Sequence, residues 1–566
     1  MITMLIPKNM LLSRLRSRAF PGKALRLYPL LNNLRSASTL ANASHGVKSP
    51  PKPKASYVQR LIVVSAVAAA GYAVDEYYYE SLVQRSVRAL YVLLWIAYEY
   101  TRNIDSYESI DDLHEIAAEK LFSMLETNRG LYIKQGQAIA NQGSVFPVAF
   151  QRRFVTLYDA APKDSWQLID RILKRQLGKN YEKEVFEYIE HNPVASALIA
   201  QVHKARLKNT STDVAVKVQH PYIEKQISVD LMVYRFMSWV YSKAFDLPLS
   251  FFTKYVADQL EKEADFRIEN SNAKQLASLL AHDPAMNGMD IYVPNNYDKY
   301  SGRQVLVTEW IEGISLTDKQ RLINSKMDIS KIMKQYITVF GRQMFEYGFV
   351  HSDPHPGNLL VRLYKGKQQL VILDHGLYVA LPRKFRMEYC EIWKSLFNFN
   401  TDAVEKISQE WGIGSTDLLT AVVQLRPPKD ADINKSRSSY ELIKSFLGDE
   451  SRFPLQLLFV LRTMRMIQNL NQSMGSPVNR INIFTKSAIQ LLSNDPWTHR
   501  SLRDWFLLIQ VRVSLFFSDL VFWTFRLRQI LTGDRYGGKG EGMEDYIEKY
   551  MRDTAKSLGI EIVDGM

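Results

Sequence analysis

Valine alternates with other residues over a short segment in the middle of the chain, and this pattern predicts a strand. In 213–220 (DVAVKVQH) every second position from 214 to 218 is valine, which is the period of a half-buried strand. The valines then face a core, while Ala215 and Lys217 face away from it. Further on, the apolar residues of 329–344 recur at i, i+3 and i+4, which predicts an amphipathic helix that Gly348 ends.

Two other patterns predict a hairpin and a second helix. The apolar segments 359–363 and 370–373 flank the polar sequence YKGKQ, so they predict a hairpin that ends at Asp374. Residues 261–272 (EKEADFRIENSN) are typical of a helix. This segment contains three acids, Glu263, Asp265 and Glu269. Glu263 and Asp265 are two positions apart and therefore face different sides of the helix.

The segment 61–74 has no charged residue and predicts a helix in an apolar environment. It is short for a membrane span, which needs about 20 residues. Tyrosines at 57 and 77–79 extend it as interfacial anchors, and we therefore predict a transmembrane helix over 61–79. A buried helix of a globular domain is the alternative.

A second apolar segment, 505–531, is interrupted by charges. Their spacing is more typical of a helix that packs on a domain or lies on a membrane than of a span. The tail 535–566 contains a Gly-rich turn followed by an amphipathic pattern over about 543–558. The interrupting charges are Arg512, Asp519, Arg526 and Arg528.

The positive charge of the chain is concentrated at its N-terminus. The 566 residues carry a net charge of +13, but no acid precedes Asp75, and residues 1–74 carry eleven Lys or Arg. The remaining body is nearly neutral, which argues against a nucleic-acid-binding domain. The single cysteine, Cys390, excludes an internal disulfide and multi-cysteine metal sites.

The N-terminal composition predicts a mitochondrial targeting sequence. Residues 1–45 are rich in Arg and Ser, contain apolar residues and lack acids, as a transit peptide does; a basic arm that binds anionic surfaces is the alternative. Residues 46–60 then form a Pro/Lys linker. Basic residues precede 61–79 and acids follow it, so the positive-inside rule predicts that the body lies across the inner membrane, in the intermembrane space.

Residues 351–358 (HSDPHPGN) have the spacing of a kinase catalytic loop. In H-R-D-L-x-x-x-N, the Asn lies five residues after the Asp. Asp353 and Asn358 keep that interval, and His351 lies two residues before Asp353. Asp353 is then placed to orient or deprotonate an attacking hydroxyl group, and Asn358 to bind magnesium.

Two further elements complete a kinase-like set. Asp374-His375-Gly376 takes the place of D-F-G, and Ala215-x-Lys217 that of the V-A-I-K strand. Amide and carboxylate oxygens suit magnesium better than zinc, although histidines lie nearby. Each element alone has a structural interpretation, as an ion pair or a loop. Their combination and order predict a nucleotide site.

With these motifs the chain resembles the UbiB family of atypical kinases, also called aarF-domain-containing kinases, and within it the mitochondrial branch. The likeness runs from about residue 115 to residue 380. The motifs that carry it are 134–137 (KQGQ, the family's KxGQ), 195–203 (ASALIAQVH), 214–221 (VAVKVQHP), 263–265 (EAD, its ExD), 351–358 (HSDPHPGN) and 373–376 (LDHG).

The resemblance implies a role for each site residue. It implies ATP or ADP with Mg²⁺ as cofactors, and a KxGQ lysine that reaches the active site against the ExD acids and occludes protein substrates. The catalytic residues are then Asp353, Lys217 and Glu269, and the metal ligands Asn358 and Asp374. Nucleotide contacts are Ala195, Ala197, Ala200, Gln201, Lys217, Glu309 and Ile311. The regulatory residues are Lys134, Gly136, Gln137, Glu263 and Asp265.

The chain also departs from protein kinases. It has no G-x-G-x-x-G loop, and the corresponding 195–201 contains no glycine, so side-chain methyl groups hinder the approach of backbone N–H groups to phosphate. No A-P-E sequence follows Gly376, so a platform for peptide substrates is not expected.

Taken together, the resemblance predicts a two-lobed α+β kinase-like fold with a helical extension over 80–190, an N-lobe over 191–313 and a mostly helical C-lobe over 314–534. It implies an atypical kinase or ATPase of coenzyme Q biosynthesis or distribution and of mitochondrial lipid homeostasis. Expected partners are membrane lipid or an isoprenoid quinone, and membrane proteins. The alternatives are a non-catalytic, nucleotide-gated membrane scaffold and, less favoured, a conventional protein kinase.

Overall fold

The computed structural model describes residues 55–78, 81–141, 147–154, 156–157, 163–245, 250–398, 400–413, 419–420, 423, 452–494, 502–532, 542–547 and 549. The predicted transit peptide, the first part of the predicted linker and most of the C-terminal tail lie outside these residues.

The first described helices form the N-terminal extension. The first of them begins inside the segment predicted as a linker and covers most of the predicted span. A capping box of Ser109 and Asp112 fixes the start of the third. The helices are α1 (Ala55–Tyr78), α2 (Leu82–Arg102), α3 (Ile110–Asn128), α4 (Leu131–Asn141) and α5 (Val148–Phe154).

Helices α1 and α2 are joined by a short, hydrogen-bonded junction. The two carboxylate oxygens of Asp75 accept the backbone N–H groups of Val83 and Gln84, each at 3.0 Å. These are N–H groups that the first turn of a helix leaves without an intrahelical partner. The carboxylate of α1 therefore caps α2. The described apolar side chains of α1 are exposed, among them Ile62, Val63, Val64 and Val67.

The N-lobe contains a five-stranded antiparallel sheet in the order β1-β3-β4-β6, with β2 paired to β3. As the alternation predicts, Val214, Val216 and Val218 are fully buried. The first strand lies within the predicted helical extension but pairs with this sheet. The elements are α6 (Trp166–Leu177), α7 (Tyr181–Glu184), β1 (Phe186–Ile189), β2 (Ala195–Ser196), β3 (Ala200–Leu207), β4 (Asp213–Gln219) and β6 (Val305–Glu309).

Three helices follow β4, namely α8 (Ile223–Phe245), α9 (Ser250–Glu263) and α10 (Phe266–His282). The prediction of one helix over 261–272 is wrong, because the helix ends at Glu263 and another begins at Phe266. Asp265 causes the break: its side chain accepts the N–H group of Arg267 and caps α10.

The C-lobe combines two small sheets with long helices around one core. In the larger sheet the order is β5-β10-β9-β7, and β11 pairs with β8. The predicted helix over 329–344 is α12, which continues as a π-helical turn, Gln343–Tyr347, up to Gly348 at φ +63°. The strands are β5 (Ile291–Tyr292), β7 (Ile314–Ser315), β8 (Phe349–His351), β9 (Leu359–Tyr364), β10 (Lys367–Ile372) and β11 (Tyr378–Ala380). The helices are α11 (Lys319–Asn324), α12 (Ile329–Arg342), α13 (Arg383–Asn398), α14 (Thr401–Glu410), α15 (Leu455–Ser473), α16 (Arg480–Asn494) and α17 (Leu502–Leu531).

The last of these helices contains the interrupted apolar segment. It packs one face on the C-lobe, and Val511 and Leu515 are buried there. Among the helical segments whose side chains the structure describes without a gap, Leu508–Leu531 is long and apolar enough to cross a membrane by length and composition. The chain thus has the predicted two-lobed α+β architecture with a helical extension.

Candidate active site

Lys217 lies at the centre of the candidate site. It projects from β4, and its valine neighbours hold the strand in the N-lobe core. The ammonium group donates to both carboxylate oxygens of Glu269 on α10, at 2.7 and 2.8 Å, and lies 3.3 Å from Oδ1 of Asp374. The structure therefore brings together three residues that the sequence places in separate motifs.

These three charges determine one another's protonation. Burial alone lowers the pKa of Lys217, but the two carboxylates outweigh it and raise that pKa above its ordinary value. Burial raises the pKa of Asp374, but the Lys217 charge outweighs it and the pKa is lowered. Burial raises the pKa of Glu269 although Lys217 opposes it. Asp374 is therefore the stronger acid of the two carboxyl groups.

The hairpin register places Asn358 beside Asp374. Leu359 pairs with Ile372 across β9 and β10, so the residue before one strand meets the residues after the other. The N–H group of Leu373 donates to the Asn358 carbonyl oxygen at 2.9 Å, which closes this end of the hairpin. Within the described part of the chain, no hydrogen bond is made by the Asn358 side chain or by Oδ2 of Asp374. An amide and a carboxylate with oxygens available fit a magnesium ion.

Hydrogen bonds to His351 hold the catalytic loop in place. The Asp353 N–H group donates to Nδ1 of His351 at 3.0 Å, and Nε2 of His351 donates to the Asp374 carbonyl oxygen at 3.0 Å. This pattern is that of a neutral imidazole, in agreement with burial, which lowers the pKa of His351. One ring thus links the two aspartates of the site.

Both ring nitrogens of His375 also have hydrogen-bond partners within the protein. Its Nε2 lies 3.0 Å from the Ile372 carbonyl oxygen and its Nδ1 lies 3.0 Å from the Tyr378 hydroxyl group. Burial lowers the pKa of His375 to about 4, so the ring is neutral. His375 therefore orients the loop that holds Asp374.

The glycine-free loop between β2 and β3 is a tight turn. The Ala197 N–H group donates to the Ala200 carbonyl oxygen at 2.8 Å. Ala195 and Ala197 are exposed, whereas Ala200 is buried. Gln201 is also buried, and its side-chain carbonyl accepts the Asp164 N–H group at 2.8 Å, so that side chain stabilises the turn from inside rather than facing the cleft.

A histidine and an aspartate that the sequence did not single out hold this turn. Nε2 of His220 lies 2.8 Å from the Ala197 carbonyl oxygen, and its Nδ1 lies 2.7 Å from Asp164. The His220 backbone N–H group also donates to Ile199 at 2.9 Å. His220 is visible in the motif VAVKVQHP, but its partners come from distant segments.

The two remaining expected nucleotide contacts lie at the end of β6 and just after it. Glu309 ends β6, and its side chain accepts the hydroxyl group of Tyr292 at 2.5 Å and lies 3.8 Å from Arg362. Ile311 is buried. The Glu309 side chain is thus bound within the protein.

Lys134 approaches the site from the helical extension. It forms an ion pair from α4 with Glu263, the last residue of α9. Gly376 lies close to Glu263, because a Cβ atom at Gly376 would lie 3.9 Å from its Cγ. Asp265, the other acid expected to face Lys134, instead pairs with Arg267 at 2.6 Å. One acid of the ExD motif therefore binds Lys134, and the other caps a helix.

The other residues of the KxGQ motif fix α4 in place. Gly136 is buried, and a Cβ atom there would collide with Leu157 and lie 2.9 Å from Leu125. Gln137 donates to the Leu157 carbonyl oxygen at 3.2 Å. The motif thus combines one charged group with a close helix contact.

Arg462 is a site residue that no motif in the sequence indicated. It lies on α15, and its Nη2 is 3.4 Å from Oδ1 of Asp353. An arginine there adds positive charge beside the 351–358 loop.

Comparisons with known proteins show a match to one domain family and to relatives of similar length. Residues 156–408 match the ABC1 atypical kinase-like domain. ABC1 family protein lscO of Purpureocillium lilacinum is 32% identical, over 91% of this chain and 94% of its own length. The chain belongs to the ABC1, or UbiB, family. ABC1 family protein C10F6.14c of Schizosaccharomyces pombe is 36% identical over 87% of this chain and 93% of its own length.

Solved structures also include chains similar to this one. The solved complex of Rv3197 with erythromycin from Mycobacterium tuberculosis covers 68% of this chain and 97% of that one, at 22% identity and a TM-score of 0.44. The ABC1 domain match includes Lys217, Glu269, Asp353 and Asp374, whereas Lys134 lies before it.

Proposed function

We propose that this ABC1-family protein is a magnesium-dependent atypical kinase or ATPase of the mitochondrial inner membrane that acts on coenzyme Q distribution or biosynthesis and on lipid homeostasis. The observation that carries the proposal is the position of Lys217, between Glu269 and Asp374 and next to the Asn358 hairpin end.

Some side chains of the site are placed to bind the nucleotide and the metal, and one is placed to accept a proton in the reaction. Lys217 is placed to bind phosphate oxygens, while Glu269 keeps its ammonium group in position. Asn358 and Asp374 would hold magnesium, which neutralises charge on the transferred phosphoryl group. Asp353, oriented by His351, is placed to accept a proton from an attacking hydroxyl group or water.

The ion pair of Lys134 supports an acceptor smaller than a protein. Lys134 crosses from α4 to Glu263, beside Gly376, as expected for a lysine that occludes protein substrates in the family that the chain resembles. Water, a lipid or an isoprenoid quinone precursor needs less space there. The membrane location is supported by the acid-free N-terminus and by the exposed apolar side chains of α1.

A nucleotide-gated scaffold is the second candidate, and two observations favour it. The turn over 197–200 has alanine where the corresponding loop of protein kinases has glycine, and Arg462 pairs with Asp353. Both features are compatible with nucleotide binding and with slow phosphoryl transfer, which is what a nucleotide-gated scaffold needs.

Nucleotide binding and turnover of the purified full chain separate these two functions. We expect Lys217→Ala and Asp374→Asn to weaken magnesium-dependent ATP binding by about tenfold or more, because each removes a charge that faces the phosphates or metal. Asp353→Asn should keep ATP binding within about twofold and lower turnover by about 10²-fold or more. Lys274→Ala, at an exposed surface ion pair, is the matched control.

The scaffold has a different outcome. ATP binding without turnover in detergent and in lipid vesicles, together with full activity of Asp353→Asn in cells, would contradict catalysis and support the scaffold. Unchanged ATP binding in Lys217→Ala would contradict both functions.

A further inference from the structure

The outer face of α17 is an extended apolar surface that the fold leaves uncovered within the described residues. Its outward side chains recur at alternating intervals of four and three, so they form one stripe along the helix. The side chains of Phe516, Trp523 and Leu531 are 66%, 62% and 77% exposed. The stripe is Ile509, Val513, Phe516, Leu520, Trp523, Leu527 and Ile530, and Phe506, Phe517, Val521 and Leu531 flank it.

The opposite face of α17 is bound firmly to the C-lobe. The side chain of Gln529 donates to the Gly475 carbonyl oxygen at 3.1 Å, and Asn482 donates to that of Leu515 at 2.8 Å. Arg526 is buried on the same side. The helix therefore cannot cross a membrane alone, because spanning would separate these polar groups from their partners or carry the C-lobe into lipid.

The composition of the outward face distinguishes lipid from a helical partner. A coiled-coil seam is two positions wide and is usually flanked by charged residues, whereas Phe517 and Val521 flank this stripe. Helices that pair inside membranes use small residues for close approach, whereas this face consists of large ones. The charged Arg512 and Asp519 lie at the border between the outward and buried faces, as in helices that lie in a membrane interface.

We propose that the outer face of α17 docks on a phospholipid bilayer, parallel to its plane, as an attachment of the C-lobe separate from α1. This inference rests on the membrane location in the proposed function. The apolar stripe enters the boundary between headgroups and acyl chains, and the bordering charges stay at the headgroups.

Single spin labels on cysteine test this proposal in the full chain. Cys390 is the only natural cysteine and is buried, and burial raises the pKa of its thiol, so introduced surface cysteines are labelled selectively. Labels at Leu520→Cys and Leu527→Cys probe the outer face. Leu363→Cys, on the exposed β9 hairpin, is the matched control. The protein is reconstituted in vesicles of phosphatidylcholine with phosphatidylglycerol.

We expect labels at 520 and 527 to collide more often with oxygen than with a water-soluble nickel chelate, and the label at 363 to show the reverse. Equal nickel access at all three positions would overturn the proposal. So would dipolar broadening at 520 that disappears on dilution with unlabelled protein, since a second copy would then cover the face. ATP binding and alkaline extraction of the same samples report separately on the proposed function.

Discussion

At the scale of single residues, the site is controlled by one ammonium group between two carboxylates. Lys217 neutralises one negative charge, and the other remains available for a divalent cation. The two carboxyl groups are not equivalent, because the pKa of Glu269 is raised and that of Asp374 is lowered. We therefore expect Asp374 to stay ionised while Glu269 titrates.

The raised pKa of Glu269 predicts a pH-dependent stability. The folded protein binds this proton more tightly than the unfolded chain, so the stabilisation is present at low pH and is lost as pH rises through the folded pKa. Between the ordinary pKa of a glutamate, about 4.3, and neutral pH, the free energy of unfolding of the ligand-free protein should fall more steeply than that of Glu269→Gln. Thermal or denaturant unfolding of both proteins across this range measures the difference. Parallel pH curves would refute the assignment.

The sequence motifs indicate candidate site residues but not the partners of those residues. Lys217, Asp353, Asn358 and Asp374 each lie in a short motif that is recognisable from adjacent positions in the chain. Arg462 does not, and its contact with Asp353 joins α15 to a loop far away in the chain.

At the scale of elements, the boundary between α9 and α10 separates Glu263 from Glu269, and these two acids pair with different lysines. The composition of 261–272 predicts one helix, and the break depends on a single side-chain cap by Asp265. This cap lets Glu263 end one helix facing Lys134 while Glu269 lies on the next, facing Lys217. Helix propensity alone does not detect such a break, because every residue of the segment tolerates a helix.

The contact of α4 with its neighbours predicts a strong effect of a single methyl group. In Gly136→Ala the added Cβ would collide with Leu157 and press on Leu125, both in the buried core of the extension. Overpacking of this kind costs about 1–3 kcal/mol of unfolding free energy, and it should displace Lys134 from Glu263. Unfolding experiments measure the first effect. Gly71→Ala is the control, since nothing lies within 4 Å of its added Cβ.

At the scale of the whole molecule, the chain has a nearly neutral kinase-like body and two apolar helices with exposed side chains. The sequence predicted the first of them from an uncharged segment. For α17 the interrupting charges argued for packing on the domain, and the structure shows that this holds for one face of the helix. A linear pattern could not show how much of the other face stays exposed.

The exposed α1 predicts a membrane protein that resists alkaline extraction. An arginine in the middle of a span costs about 2.5–3.5 kcal/mol, so Val64→Arg with Val67→Arg should move the protein from the membrane fraction to the alkaline supernatant. Val194→Arg, at an exposed valine of the N-lobe, is the matched control. Extraction of the unsubstituted protein by alkaline carbonate would contradict a spanning α1.

The cap by Asp75 limits how far the kinase-like body can move from α1. Three residues separate α1 from α2, and both carboxylate oxygens of Asp75 hold the start of α2. Even fully extended, the four Cα–Cα steps from Tyr78 to Leu82 reach only about 14 Å. A body on so short a tether cannot search the surrounding solution. In the proposed membrane attachment through α1, a reactant confined to the same membrane would meet the site at a high effective concentration, whereas a soluble one would gain nothing from that attachment.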